Sequence, residues 1–210
     1  MEEEYKKVMS NRVKNSKTEG LIDIWDNVLE PHVAELVDQM MREKLLWHYD
    51  YSSNKYGVNK HWHILCGKQL IFPEYDFLAP IWEVAREKYD FENRYDIVEF
   101  KRVYCNAHTF GVEPHMHTDD GDLTMIYYPI MDWEPEWLGG TAIWNTEGTE
   151  IDKYVNYIGN RLLVFDANLN HQAMSVSRQC YRLRTCVVFK TWKKGFENAA
   201  GDRLDFYGKD

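Results

Sequence analysis

The sequence predicts a single mainly β domain with supporting helices in its N-terminal third. Strand-like segments recur every ~10 to 15 residues after Asp90, and two segments with helical apolar spacing come before them. Aromatic residues make up 15% of the chain, including eight Trp and fourteen Tyr, and this high content favours a sheet-rich core. Helices followed by a run of strands indicate a helix-supported antiparallel sheet, for which the double-stranded β-helix, or jelly roll, is the economical form.

The domain organisation follows from length and local composition. A chain of 210 residues suits one domain with a full core, and no segment resembles a linker long enough to separate two. We assign residues 21–194 to this domain. Residues 1–20 are polar and charged and predict an N-terminal arm, while residues 195–210 predict a C-terminal tail.

The N-terminal third predicts a short strand within 21–29 and helices at 31–47 and 77–89. Pro31 suits the first turn of a helix, and apolar residues follow it at helical spacing. Segment 49–63 has a loop-like composition rich in aromatic residues, and both a substrate groove and ordinary surface aromatics remain open for it. The later strands are predicted at 97–104, 123–128, 141–144, 154–158, 161–165 and 182–189.

Composition excludes several classes of protein. The net charge of −9 argues against sequence-independent binding to nucleic acid or anionic lipid. No apolar run approaches the ~20 residues of a membrane span, and the charged N-terminus lacks a secretory signal. The four cysteines show no CxxC spacing. The sequence therefore predicts a cytoplasmic protein with reduced thiols and no disulfide needed for folding.

A candidate metal site lies in the second half of the chain. His117 and Asp119 are two residues apart, so on an extended strand their side chains point to the same face. His171 follows the apolar run 162–165 and a turn, where a chain leaving a buried strand can direct a third ligand at the pair. Two histidines and one carboxylate form the facial triad of non-heme Fe(II) oxygenases. Spacing alone also fits a histidine beside an exposed acid.

Four other histidines are weaker candidates. His61 and His63 have ligand-like spacing, but no carboxylate or third ligand is near them in the sequence. His108 and His115 are interpreted as pocket-rim or structural residues, because Pro114 interrupts the strand that would align His115 with the candidate ligands.

Several motifs accompany the candidate ligands in a fixed order. They are His117-Thr-Asp119, the strand Leu123–Tyr128, Gly139-Gly140-Thr141, Asn160-Arg161-Leu-Leu-Val-Phe165 before His171, and Arg184-Thr-Cys-Val-Val-Phe189. Together they resemble the prolyl-4-hydroxylase-like Fe(II)/2-oxoglutarate oxygenases, and the resemblance covers roughly residues 98–192.

The resemblance implies a jelly-roll barrel in which His117, Asp119 and His171 hold Fe(II). It also implies 2-oxoglutarate as cosubstrate, whose far carboxylate enters the barrel. A buried carboxylate must be paired, and Arg provides a bidentate partner. Arg184 and Arg182 are the two candidates: the motif position favours Arg184, whereas the separation from His171 favours Arg182, and we favour Arg184.

Two tyrosines match positions near the cosubstrate in that family. Tyr128 and Tyr104 would each place a hydroxyl close to the 2-oxoglutarate carboxylate, since a buried Tyr needs a partner for its OH. Simple packing in the core remains an equal alternative for both.

The activity implied by the resemblance is hydroxylation of an unactivated C–H with O2, coupled to conversion of 2-oxoglutarate into succinate and CO2. A prolyl residue of a protein or peptide is the leading substrate, by family analogy. A free amino acid, another small molecule and a nucleic acid remain open. Arg178 and Arg184 stand six apart, as in nucleic-acid dealkylases, although the acidic chain opposes that alternative. A non-catalytic jelly-roll module with a structural metal is also open, although structural zinc usually has four ligands.

Overall fold

The computed structural model describes residues 20–53 and 59–193. Its elements in chain order are β1 (Ile22–Trp25), α1 (Pro31–Glu43), β2 (His48–Tyr51), β3 (His61–Lys68), β4 (Leu70–Ile71), a 3-10 helix (Pro73–Leu78), α2 (Ala79–Lys88), α3 (Phe91–Tyr95), β5 (Ile97–His108), β6 (Leu123–Tyr128), a 3-10 turn (Pro135–Trp137), β7 (Thr141–Trp144), β8 (Ile151–Val155), β9 (Arg161–Asp166), β10 (His171–Ala173) and β11 (Arg184–Lys193).

The strands form two antiparallel sheets. The larger has eight strands in the order β1-β9-β6-β11-β5-β3-β2, with β4 paired to β3, and the smaller has three in the order β10-β7-β8. The predicted mainly β architecture with N-terminal supporting helices is thus confirmed.

Strand β11 contributes side chains to two separate hydrophobic clusters, one on each face of the larger sheet. Val187 and Phe189 belong to the apolar cluster that contains the buried faces of α1 and α2. Val188 belongs to a second cluster, which includes Ile143 and Val155 of the smaller sheet. Because alternate residues of a strand point to opposite faces, the larger sheet packs on helices with one face and on the smaller sheet with the other. The pocket described below opens on that second face.

Several predicted boundaries are wrong by a few residues. Helix α1 ends at Glu43 rather than 47, and α2 spans Ala79–Lys88 because a separate 3-10 helix occupies the residues before it. Strand β8 spans Ile151–Val155 rather than 154–158. These shifts concern element ends, where the apolar pattern is shared with the adjoining turn.

The prediction of a loop at 49–63 is wrong at both ends of the segment. The segment contains the end of β2 and the start of β3, and His61 and His63 alternate as buried residues of β3. A histidine in a polar context carries no strand signal, so only burial against the rest of the sheet reveals it. The predicted arm at 1–20 and tail at 195–210 lie outside the described residues, apart from Gly20.

The four cysteines are free thiols, and the closest pair of sulfurs, in Cys66 and Cys105, is 3.6 Å apart. Among the described helices, none has the length and apolar character needed to cross a membrane.

Candidate metal centre and its pocket

Backbone pairing brings the three candidate ligands together. His117 and His171 form an isolated antiparallel bridge, with His117 N to His171 O at 3.0 Å and His171 N to His117 O at 2.9 Å. The Asp119 N–H donates to the Ala167 carbonyl at 2.7 Å, just before the turn that leads to His171. Two segments 50 residues apart in sequence are thereby held side by side by main-chain hydrogen bonds.

The ligand atoms converge. One nitrogen or oxygen from each of His117, Asp119 and His171 lies within 4.8 Å of the others. His171 Nε2 is 3.1 Å from Asp119 Oδ2, and His117 Nε2 is 3.5 Å from Asp119 Oδ1. Within the described residues this is the one such group of three or more potential ligands. The spacing suits one small cation between the three side chains.

Both imidazoles are held in the form that binds metals. Nδ1 of His117 lies 2.8 Å from the His115 carbonyl, and Nδ1 of His171 lies 2.9 Å from the Leu169 carbonyl. A carbonyl only accepts, so Nδ1 carries the proton and Nε2 keeps its lone pair toward Asp119. Burial lowers the pKa of His117 to about 3 and that of His171 to about 4, so both rings are neutral at neutral pH.

Asp119 has two further partners that the sequence interpretation missed. The Thr124 hydroxyl donates to Asp119 Oδ2 at 2.7 Å, and the ammonium of Lys190 makes an ion pair with the same oxygen. Burial and the nearby Arg102 and Lys101 charges lower the pKa of Lys190. The direct contact with the Asp119 carboxylate favours the charged ammonium and outweighs these effects, so we describe the contact as an ion pair. Strand alternation from Arg184 would have placed Lys190 on the pocket face.

Arg184 lies fully buried at the other end of the pocket. Its Nε donates to the Gly139 carbonyl at 2.5 Å, and its Nη1 is 3.1 Å from His108 Nδ1. Its guanidinium carbon is 5.9 Å from the centre of the Tyr128 ring and 5.6 Å from that of Tyr157. Among the described residues no carboxylate pairs with it, although a buried guanidinium calls for an anion.

Arg182 is placed differently. It lies before β11 begins, so the expectation that both arginines stand on the strand is wrong. Its Nη1 is 2.6 and 2.7 Å from the two carboxylate oxygens of Asp132, an exposed residue, and it does not line the pocket.

The two predicted tyrosines also differ. Tyr128 is fully buried, and its hydroxyl is 2.7 Å from the Thr141 hydroxyl, which lines the pocket beside Arg184. Tyr104 lines the pocket itself, with the Lys190 ammonium 5.8 Å from its ring centre. Tyr128 is therefore close to the arginine and Tyr104 close to the lysine.

The four weaker histidine candidates are structural in position. His61 and His63 are buried on β3, and burial lowers the pKa of each to about 4. His63 Nδ1 is 2.8 Å from Asn106 Oδ1, while neither ring nitrogen of His61 has a partner among the described residues. His108 supports Arg184, and His115 orients His117 through its carbonyl. The sequence interpretation of His108 and His115 as rim or structural residues is consistent with these contacts.

A cationic cluster closes the Asp119 side of the pocket. Arg102 makes a bidentate pair with Asp120, at 2.9 and 2.5 Å, and the Lys101 ammonium is 2.6 Å from Asp120 Oδ2. Burial raises the pKa of Asp120, but the bonds from Arg102 and Lys101 outweigh it and hold the pKa below its ordinary value. A bulge where β5 pairs with β11 leaves Lys101 without a cross-strand partner and turns its side chain toward Asp120.

The turn after Asp120 fixes this arrangement against β11. Gly121 has φ +99°, and a Cβ there would lie 2.7 Å from the Thr191 carbonyl oxygen. Only glycine combines that backbone conformation with so close an approach. Asp122 N donates to the same carbonyl at 3.0 Å.

The cavity that joins these groups has a volume of about 640 Å³. Its walls include the three candidate ligands, Arg184 and Lys190, so the metal centre and the buried arginine share one space. Tyr51, from the segment considered as a groove, also lines it. Residues 54–58 of that segment lie outside the described part of the chain.

No protein-family model and no curated protein sequence matches this chain. Solved structures do. A prolyl hydroxylase from Trichoplax adhaerens, in complex with a hypoxia inducible factor oxygen degradation domain peptide, superposes with a TM-score of 0.66 at 14% identity over 95% of this chain and 96% of that one.

Two further structures are similar. A Pseudomonas putida prolyl-4-hydroxylase has a TM-score of 0.62 at 11% identity, over 84% of this chain and 94% of that one. The viral collagen prolyl hydroxylase of Paramecium Bursaria Chlorella virus-1, solved as a 2OG complex, has a TM-score of 0.55 at 13% identity, over 80% of this chain and 93% of that one. The chain shares the jelly-roll fold of these oxygenases, which confirms the predicted fold class.

Proposed function

We propose that this protein is an Fe(II)- and 2-oxoglutarate-dependent dioxygenase that hydroxylates an unactivated C–H. The observation that carries the proposal is the convergence of His117, Asp119 and His171 within 4.8 Å in the same cavity as the buried Arg184. The fold similarity to prolyl hydroxylases supports it independently.

The donor set fits Fe(II). Two neutral imidazoles and one carboxylate are the facial triad of non-heme iron oxygenases, and three protein ligands leave positions for cosubstrate and O2. The Nδ1–H bonds to carbonyls fix both ring orientations, and Thr124 and Lys190 fix the carboxylate. A structural zinc site would usually have a fourth ligand. This favours the enzyme over a non-catalytic module.

Bound iron would supply the oxidising chemistry, with O2 as oxidant and 2-oxoglutarate as the reductant that leaves as succinate and CO2. The chain's own residues bind and orient. His117, Asp119 and His171 hold the metal, while Arg184 receives the far carboxylate of 2-oxoglutarate with its remaining donors. The Thr141 hydroxyl, held by Tyr128, offers a second donor at that end.

We further propose a prolyl residue of a protein or peptide as the hydroxylated group. All three of the similar structures described above are named for prolyl hydroxylation, and one of them contains a peptide.

The test is succinate formation from 2-oxoglutarate with Fe(II), measured alone and with a panel of proline-containing peptides and free amino acids. Asp119→Ala should abolish succinate formation and weaken Mn(II) binding by more than the roughly 10- to 100-fold typical of losing a supporting residue. Asp132→Ala, which removes an exposed carboxylate outside the pocket, is the matched control. Unchanged Mn(II) affinity in Asp119→Ala would refute the ligand assignment.

A further inference from the structure

Three cations stand in a row across the pocket face of the larger sheet. Lys68 on β3 is the direct cross-strand partner of Arg102 on β5, and Arg102 is the direct partner of Lys190 on β11. Directly opposite residues share a face with their Cβ atoms about 5 Å apart, and like charges in that relation destabilise a sheet. The row is therefore unfavourable unless anions lie beside it.

The described residues supply only some of those anions. Lys190 pairs with Asp119, and Arg102 shares Asp120 with Lys101. Lys68 lines the cavity and is itself exposed, and it makes no ion pair with any residue that the structure describes. Among the described residues, five lysines and arginines line the cavity against two carboxylates, in a chain whose net charge is −9. This local excess of positive charge is opposite in sign to the whole protein.

The proposed function does not neutralise the excess. A divalent metal and a doubly charged 2-oxoglutarate cancel each other, and the anionic end of the cosubstrate faces Arg184. Lys68 and Arg102 lie instead level with Lys190, six residues along β11 from Arg184. The unmatched charge therefore lies at the end of the pocket where Lys190 pairs with the candidate ligand Asp119.

We propose that the substrate carries a carboxylate that pairs with Lys68, with Arg102 behind it, in the cavity that also contains the metal triad. This inference rests on the proposed function and specifies its substrate class as anionic. The carboxylate can come from the α-carboxyl group of a free amino acid or from an acidic side chain next to the hydroxylated residue of a peptide. Both present the same group to Lys68.

The experiment compares carboxylates with their carboxamides on the full chain loaded with Mn(II) and 2-oxoglutarate. The probes are L-proline and L-leucine against their amides, and a capped Gly-Pro-Glu-Gly peptide against capped Gly-Pro-Gln-Gly. We expect the carboxylate member of at least one pair to bind about tenfold more tightly, as a charge-assisted hydrogen bond predicts. Preference in the amino-acid pairs assigns the α-carboxylate, and preference in the peptide pair assigns the acidic side chain.

Lys68→Met should abolish that preference. Lys44→Met, which removes an equal charge from an exposed position outside the pocket, should keep it. A second measurement needs no ligand: relieving the repulsion in the row should raise the Tm of Lys68→Met by about 1 to 3 °C, whereas Lys44→Met should not gain.

Equal binding within every pair, or a preference that survives Lys68→Met, overturns the inference. The proposed function is judged separately, by succinate formation that depends on Asp119. That activity without carboxylate preference would reject the anionic substrate and leave the oxygenase intact. Carboxylate preference without that activity would do the reverse.

Discussion

The two ends of the pocket face of β11 each bury a cation, but they differ in whether the chain provides an anion beside it. At one end Arg184 is buried among a carbonyl, a neutral imidazole and aromatic rings, without a carboxylate partner among the described residues. At the other end Lys190 is equally buried, but it forms an ion pair with Asp119. The neighbouring Asp120 pairs with Arg102.

The difference shows where the chain supplies the anion and where a ligand must. Asp119 has to be oriented before a metal arrives, so its carboxylate has Thr124 and Lys190 as permanent partners. The partners of Arg184 within the described part of the chain are neutral groups that orient its side chain. Its charge therefore stays available to pair with the carboxylate of a ligand. A buried cation without an anion is costly to the free protein, and that cost would favour binding of the proposed cosubstrate.

The largest expected effect is at the Arg184 end. Arg184→Ala leaves the 2-oxoglutarate carboxylate desolvated without its partner, which costs roughly 3 to 5 kcal/mol. The apparent KM for 2-oxoglutarate should therefore rise ~100-fold or more. Arg184→Lys should recover only part, because an ammonium cannot reproduce the planar fork. The measurement is the 2-oxoglutarate dependence of succinate formation.

Arg182→Ala is the matched control, since it removes a neighbouring arginine already paired to Asp132. It should change the KM several-fold at most. A larger penalty at Arg182 would reverse the assignment. An unchanged KM in both variants would sink the role of 2-oxoglutarate, provided that the thermal melting of each variant shows a folded protein.

Much of this architecture could be predicted from the sequence. The predicted bounds of strands β6 and β7 agree with the structure to the residue, because short runs rich in β-branched and aromatic residues and bounded by turns give a strong signal. The three ligand candidates also came from local motifs. Their convergence required that two separate segments form a bridge, which spacing within one segment cannot establish.

The second layer of the site could not be predicted. Lys190 and Thr124 approach Asp119 from β11 and β6, and only the register of the sheet brings them together. Similarly, the sequence signals for Arg182 and Arg184 conflict, and the structure separates the two residues because the strand begins at Arg184. Charged residues are usually exposed, so neither secondary-structure propensity nor hydropathy predicts which of them are buried.

A smaller effect is expected at the Lys190 end. Lys190→Met leaves Asp119 buried without its cation and should lower the stability of metal-free protein by about 3 kcal/mol. A divalent metal replaces the missing charge, so Mn(II) should raise the Tm of this variant more than that of the unmodified protein. Both values come from thermal melting with and without Mn(II).

Lys101→Met provides the control, because Lys101 is also a buried lysine on a carboxylate but that carboxylate is Asp120, outside the triad. Its deficit should persist when Mn(II) is added. Equal responses of the two variants to Mn(II) would mean that Lys190 and the metal do not share Asp119.

The smallest expected effect is that of mild acid on metal binding. Two histidines with the ordinary pKa of about 6.5 would lose roughly 70-fold in metal affinity between pH 7 and 5.5, because protons compete for both rings. Burial lowers the pKa of His117 to about 3 and that of His171 to about 4, so both stay neutral until the pH falls to about 4. Protonation opposes binding only below that point. Mn(II) affinity measured by titration should therefore change less than about threefold between pH 7 and 5.5, with circular dichroism confirming the fold at each pH. A tenfold loss of Mn(II) affinity by pH 5.5 would show that the two imidazoles are not held neutral. The metal end of the pocket would then not be prepared for its ligand, and its contrast with the Arg184 end would fail.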